Sequence, residues 1–428
     1  MPNHLALQPS KSRSIEKLNR PITLSVLGIS HMTFVSEQGD RQTWIALLLV
    51  VAALVGFGTV MIYSSSAGLA QYRFDNGHFF LKRWTIRMAI SLSVMAVMTR
   101  VDYHVWRKAG KLLLAAGFFG LLIVLVLKAF SIGKVRGAYR WIPLPGGAFQ
   151  PADLMRLALV IYLADSLYRR QKFITDFRKG FLPHATIIGL AMGLIILQPD
   201  LGTALAIGIT CTLMLYLGGV RFHHILATAF ALLPLLYFIV FVIGYRKERV
   251  ITFLFPAEDV QGTGYHVAQS LLALGSGGLT GVGLGQGQQK YFFLPEPHTD
   301  FVFSIIGEEL GLMGTLGVLF SFLIFARLGF RIARTAPDAY GYMLAAGLTT
   351  LILVYAFINM GVTTGLLPAT GLPLPFISYG GSSLLFTLMA TGILISIGRQ
   401  GARDKSALPK RSDVWSSRTF PRSGHTFG

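Results

Sequence analysis

A chain of 428 residues that is 53% hydrophobic and 13% charged, with a mean hydropathy of +0.58, carries more apolar surface than a soluble core encloses. Lipid must cover the remainder. The formal charge of +19 would suit nucleic acid, but the Lys and Arg residues punctuate apolar runs instead of gathering on one polar stretch, so nucleic-acid binding is excluded in favour of topology signals and contacts with membrane lipid headgroups.

Residues 1–43 contain Lys11, Arg13, Lys17, Arg20 and Arg41 and no long apolar core ahead of a small-residue cleavage site. They read as a cytoplasmic polar extension with no removable signal. The stretch 22–35 is mildly apolar but broken by Ser, Gly and His, too short to span, and suited at most to the membrane surface. Apolar windows then follow at 44–63, 84–98, 112–127, 154–167, 184–197, 201–219, 225–243, 301–325, 342–360 and 384–397. At roughly 20 residues per 30 Å of hydrocarbon they predict an all-α polytopic membrane protein of about ten transmembrane helices. The connections alternate between rich and poor in Lys and Arg, and placing both termini in the cytoplasm puts most basic residues inside. The membrane domain is therefore set at 44–399, with one large extracytoplasmic loop at 244–300 and a disordered basic cytoplasmic tail at 400–428. The only cysteine, Cys211, lies inside an apolar run, which excludes an intrachain disulfide and a Cys-based metal cluster.

Chemistry-bearing residues collect on the outer side. The large loop is glycine-dense from Gly275 to Gly285 and ends in Pro295, Glu296, Pro297, His298, Thr299 and Asp300. Such glycines permit tight folding near a ligand but also describe a flexible loop, and no strand precedes them to make a dinucleotide site. Asp300 stands where that loop enters a span, fit either for a general base in a partly desolvated site or for a helix N-cap. Glu308 and Glu309 fall two turns deeper, where a lipid-facing carboxylate is costly, so pairing with Arg87 or Arg156 in other spans is expected. Lys134, Arg136, Arg140 and Trp141 form a basic outer cluster, unusual for that side; it suits a lipid pyrophosphate or simple headgroup anchoring. Gln198, Pro199, Asp200 and Gly202 read as a tight turn. The uncharged segment 365–383, containing Pro373, Pro375, Ser378, Gly381 and Ser382, is expected to re-enter against protein.

Taken in order, Gly137-Ala138-Tyr139-Arg140-Trp141, Phe149-Gln150-Pro151, Gln198-Pro199-Asp200-Leu201-Gly202-Thr203, the segment from Leu294 to Phe301, Gly307-Glu308-Glu309-Leu310-Gly311 and the segment from Pro373 to Ser383 resemble the SEDS family of peptidoglycan glycosyltransferases. The resemblance runs from about residue 44 to 399. It implies ten spans in a bacterial inner membrane and an outer-face site. The implied activity is inverting polymerisation of lipid II, the undecaprenyl-linked disaccharide pentapeptide, into β-1,4 glycan with release of undecaprenyl pyrophosphate. It further points to Asp300 as the essential acid, in the role of general base; beside it, Lys134, Arg136, Arg140, Trp141, His298, Ser378 and Ser382 are the candidates for substrate binding, and Arg87, Arg156, Asp200, Glu308 and Glu309 those for supporting polar roles. A class B penicillin-binding transpeptidase and other divisome proteins are the implied partners. No cofactor is identified, and a divalent cation is left open. Asp153, Arg156 and Thr370 depart from the family's usual Glu, Lys and Lys, the first two with charge retained. The N-terminal extension, Gln289-Lys290 and Ile306 favour the septal FtsW branch; Tyr265-His266 and the 355–359 stretch favour the RodA branch of the elongating wall. A lipid II flippase and a scaffold without catalysis are the rivals from other classes.

Overall fold

The computed structural model describes residues 41–132, 139–144, 147–238, 241, 253, 263–291, 293–294 and 297–406, and every structural statement concerns these. The surface stretch 22–35, and Lys134 and Arg136 of the basic cluster, lie outside them.

Eleven α-helices run in chain order: α1 (Arg41–Phe74), α2 (Phe79–Met98), α3 (His104–Ala129), α4 (Pro151–Arg169), α5 (Leu182–Leu197), α6 (Leu201–Leu217), α7 (Phe222–Tyr237), α8 (Thr263–Ser276), α9 (Val302–Arg334), α10 (Ala339–Thr363) and α11 (Gly381–Ser406). Six segments, including α1, α3, α9, α10 and α11, are long and apolar enough to cross a membrane, and the chain is a multi-pass membrane protein. Each apolar window of the sequence overlaps a helix. A small antiparallel hairpin, β1 (Ile142–Leu144) with β2 (Gly147–Phe149), pairs Ile142 with Phe149 ahead of α4.

Three boundaries differ from those read in the sequence. Arg41, Gln42 and Thr43, assigned to the polar extension, already belong to α1. At the other end α11 continues to Ser406, past the expected tail start at 400, because no proline intervenes before Pro409 and Gly401 packs closely on the Thr335 carbonyl. Within the expected loop 244–300, α8 forms; at 14 residues it is too short to register as a span, yet Ser270 and Ala273 are buried on its packed face.

α10 lies at the centre. It is buried on nearly all sides, packing against α4, α6, α9 and α11, as befits a helix that is apolar all round. Gly347 lets the Met214 thioether of α6 and Val160 of α4 approach it closely.

α9 is broken at Gly311, whose backbone (φ 64°, ψ −159°) leaves the helical region. An intact helix would bond Leu312 N–H to the Glu308 carbonyl and Met313 N–H to that of Glu309. Here Leu312 and Met313 donate to the Gly278 and Leu279 carbonyls, while Val282 and Gly283 donate to the freed Glu308 and Glu309 carbonyls, at 2.9–3.2 Å. The glycine-dense stretch thus splices its backbone into the helix ladder and re-pairs these two N–H groups and two carbonyls that the break exposes. Only glycine fits at Gly281, at φ +83° and pressed on the Glu309 carbonyl.

The same splice fixes the two acids. Glu308 accepts N–H groups of Gln288 and Gln289, and Glu309 pairs with Lys290 at 2.7 Å while accepting the Ser64 hydroxyl of α1. The expected pairing with Arg87 or Arg156 does not occur, because Lys290 comes from the adjoining loop at the same depth. Arg156 instead pairs with Asp153 one turn away at 3.1 Å.

Segment 365–383 packs into the bundle as expected of it. Leu374, Phe376 and Ile377 are buried, and Gly58 of α1 allows the Phe376–Ile377 backbone to touch the helix.

Candidate functional site

The N-terminal ends of α2, α4, α9 and α11 and the β-hairpin surround a cavity of about 560 Å³. The starts of α4 and α11, which line the cavity with Gln150, Asp153, Gly381, Ser382 and Ser383, direct N–H groups and the positive ends of their dipoles toward it. Asp300 lines the cavity beside Thr299 and is half-buried. The N-cap residue of α9 is Phe301, so Asp300 stands one position ahead of the cap and the capping role does not account for it. Gly371, at φ +77°, faces the carboxylate: a Cβ there would stand 3.4 Å from Oδ2.

Opposite lie Arg83 and Arg87, one helical turn apart on α2. The Arg87 guanidinium sits 5.1 Å from the Tyr379 ring centre and Arg83 4.3 Å from that of Phe79. A Cβ on Gly381 would touch the Arg87 side chain at 3.3 Å, so its absence lets the cation lie against the first residue of α11. Among the described residues no carboxylate forms an ion pair with either arginine. Two guanidinium groups with no carboxylate partner among the described residues, one of them against the start of α11, form a place for an anion, and two forks match phosphate oxygens.

At the base of the cavity Asp153, in the first turn of α4, is buried with its partner Arg156. Ser382 donates to Asp153 Oδ2 at 2.6 Å, and Arg156 reaches the Ser383 carbonyl and hydroxyl at 3.2 Å while stacking 4.3 Å over Tyr355. This pair joins α4 to the start of α11. Trp141 and Phe149 add aromatic surface, and Ile90, Leu144 and Leu385 an apolar side, so the cavity offers cations, a carboxylate and a greasy wall together.

Of the sequence candidates, Asp300, Trp141 and Ser382 line the cavity. Arg87, assigned a supporting role, lines it too. Arg83 was not singled out, although its spacing of four residues from Arg87 on an apolar helix is a readable signal. Arg140 does not line it: its guanidinium donates to the Pro199 carbonyl and faces Asp200 at 3.5 Å, clamping the α5–α6 turn. Asp200 also accepts Thr203 N–H and caps α6. Ser378 accepts the Leu374 N–H within its own turn, and His298 is buried between Phe80 and Tyr379, behind the wall. Arg140, Asp200, Ser378 and His298 therefore lie outside the cavity lining, the first three with their polar groups engaged by backbone or by each other and His298 sandwiched by rings. Arg140→Ala is expected to cost about 1.5–3 kcal/mol of stability, the range for hydrogen bonds to a charged group, with turnover per folded molecule little changed. Thermal unfolding beside an activity assay at equal folded yield checks this.

Among the described residues no group of three or more His, Cys, Asp or Glu side chains is placed to hold a metal ion.

Residues 45–403 match the model of the FtsW/RodA/SpoVE family, described as "Cell cycle protein". The chain is 44% identical over 353 residues to the probable peptidoglycan glycosyltransferase FtsW of Geobacter sulfurreducens, covering 82% of this chain and 94% of that protein. Against stage V sporulation protein E of Bacillus subtilis the identity is 42% over 354 residues, covering 82% and 96%. Among solved structures, a chain described under "Structural coordination of polymerization and crosslinking by a peptidoglycan synthase complex" superposes with a TM-score of 0.70 at 28% identity, covering 84% of this chain and 98% of that one. The rod shape determining protein RodA of Thermus thermophilus gives 0.61 at 26%, covering 83% and 96%. With its motifs in order along a shared helical bundle, this chain belongs to the FtsW/RodA/SpoVE family of cell cycle proteins.

Proposed function

We propose that this protein is a peptidoglycan glycosyltransferase that polymerises lipid II into β-1,4 glycan strands at the outer face of the bacterial inner membrane, for septal wall synthesis. The observation that carries this reading is that Asp300 shares one cavity with Arg83 and Arg87, two cations that have no carboxylate partner among the described residues.

Glycosyl transfer from a lipid pyrophosphate needs two things of a protein. A base takes the proton of the acceptor hydroxyl as it attacks, and positive charge stabilises the departing pyrophosphate. Asp300 supplies the first: its carboxylate accepts the proton of the acceptor's GlcNAc 4-hydroxyl while that oxygen bonds the donor's MurNAc anomeric carbon. Arg83 and Arg87, with the α11 N-terminus, receive the charge that develops on the leaving group. A single displacement inverts the α-linked donor to a β bond. The wall of Ile90, Leu144 and Leu385 suits the first isoprenes of the donor.

The ten-span topology with both ends cytoplasmic accords with the Lys and Arg distribution and puts all four converging helix ends, and so the cavity, on the outer side. A class B transpeptidase is the proposed partner, supported by the likeness to a chain of a peptidoglycan synthase complex. Purified protein copurified with its transpeptidase is expected to convert lipid II to glycan strands. Transbilayer movement of lipid II in vesicles without any polymer would replace this reading with a flippase.

A further inference from the structure

Asn359 is buried in α10 and reaches the carboxylate side of the cavity from behind. Its Nδ2 donates to the main-chain carbonyl of Asp300 at 2.8 Å and to that of Leu372 at 2.7 Å. These carbonyls belong to two separate segments. Thr299 and Asp300 line the cavity from one, and Gly371 and Pro373 from the other. One planar amide thus uses both its N–H groups to hold the backbone of Asp300 at a set spacing from the loop whose Gly371 faces its carboxylate. Asn359 is not part of the cavity lining, so it acts on the reaction only through Asp300.

The backbone that carries the amide is itself held. One turn on, Thr363 Oγ1 donates to the Asn359 carbonyl at 3.0 Å, the Ser270 hydroxyl of α8 donates to the Thr363 carbonyl at 2.7 Å, and Ser304 of α9 meets that hydroxyl at 2.5 Å. Three helices therefore fix the point from which the amide reaches. Bridging two carbonyls in this way calls for asparagine, since leucine has similar bulk and no donor, and aspartate presents oxygens to both carbonyls.

We infer that Asn359 is a positioning residue for glycosyl transfer, setting the reach and direction of the Asp300 carboxylate toward the acceptor hydroxyl. The inference rests on Asp300 being the base. A displacement of about 1 Å at a reacting group costs on the order of a hundredfold in rate, so a lost tether acts on kcat. KM is set largely on the Arg83 and Arg87 side, which α2 carries independently.

The test uses the full chain copurified with its transpeptidase and lipid II as substrate, comparing Asn359→Leu, Asn359→Asp and Asn359→Gln with wild type at equal folded yield. In the Leu and Asp variants kcat is expected to fall about ten- to a hundredfold with KM changed less than about threefold. The Gln variant keeps both donors on a longer arm, and it is expected to regain at least part of that loss. Wild-type kcat in a folded Leu or Asp variant overturns the inference, as does a Gln variant no faster than Asp. If the Leu variant does not fold, the ratio of Gln to Asp decides alone. Full activity in Asp300→Asn, run alongside, would instead overturn the base assignment; an inactive Asp300→Asn beside a fully active Asn359→Asp removes only the positioning role.

Discussion

Asp300→Asn is expected to abolish glycan polymerisation while leaving insertion, folding and partner copurification intact. The exchange keeps size and polarity but removes the basic carboxylate, and a general base contributes roughly 10² to 10⁴ in rate. The structural alternative predicts little change, since Asn caps helices about as well as Asp and the cap position of α9 is Phe301 in any case. Glycan products from wild-type and variant protein, compared on gels at equal yield, check it. Polymer at the wild-type level in the variant removes Asp300 from the chemistry.

Arg87→Ala carries the second largest expected effect. Charge-assisted bonds to phosphate are worth about 1.5–3 kcal/mol, so losing one slows turnover about ten- to a hundredfold, and removing Arg83 as well compounds it. Stability should not follow. Neither arginine has an ion-pair partner among the described residues, so truncation leaves no buried carboxylate without its cation. Arg87→Lys keeps the charge without the fork and should recover only part of the rate. Steady-state kinetics beside thermal unfolding separate the two effects; a fall in melting temperature with unchanged kcat would make Arg87 a structural residue.

The contrast between Arg87 and Arg140 shows what the sequence made legible. Both are cations in or near outer-side polar segments, and composition alone favoured Arg140 because it sits in a basic cluster with an aromatic. What decides is whether a carboxylate and a carbonyl already occupy the guanidinium, and Pro199 and Asp200 come from a turn 59 and 60 residues away. Apolar windows located the helices well, since each overlaps one, and Asp300 stood out as a candidate because it is a carboxylate at the mouth of a span, where a helix N-cap reading fitted the sequence equally. The splice at Gly311 was not. It exchanges hydrogen bonds between residues 278–283 and 308–313, and a glycine run looks the same whether it is loose or locked into a neighbouring helix. α8 was missed for a related reason: 14 residues register as loop when only membrane-length windows count. Asn359 stood in an apolar run with no local sign that its amide reaches Asp300 across 59 residues of chain.

One cavity that holds both the base and the leaving group should be seen occupied in a structure of the protein with a non-hydrolysable lipid II donor analogue bound. The pyrophosphate is expected between Arg83 and Arg87, with the anomeric carbon turned toward Asp300 and the lipid leaving past Ile90 and Leu385. A pyrophosphate held at Arg140, away from Arg83 and Arg87, would contradict this arrangement.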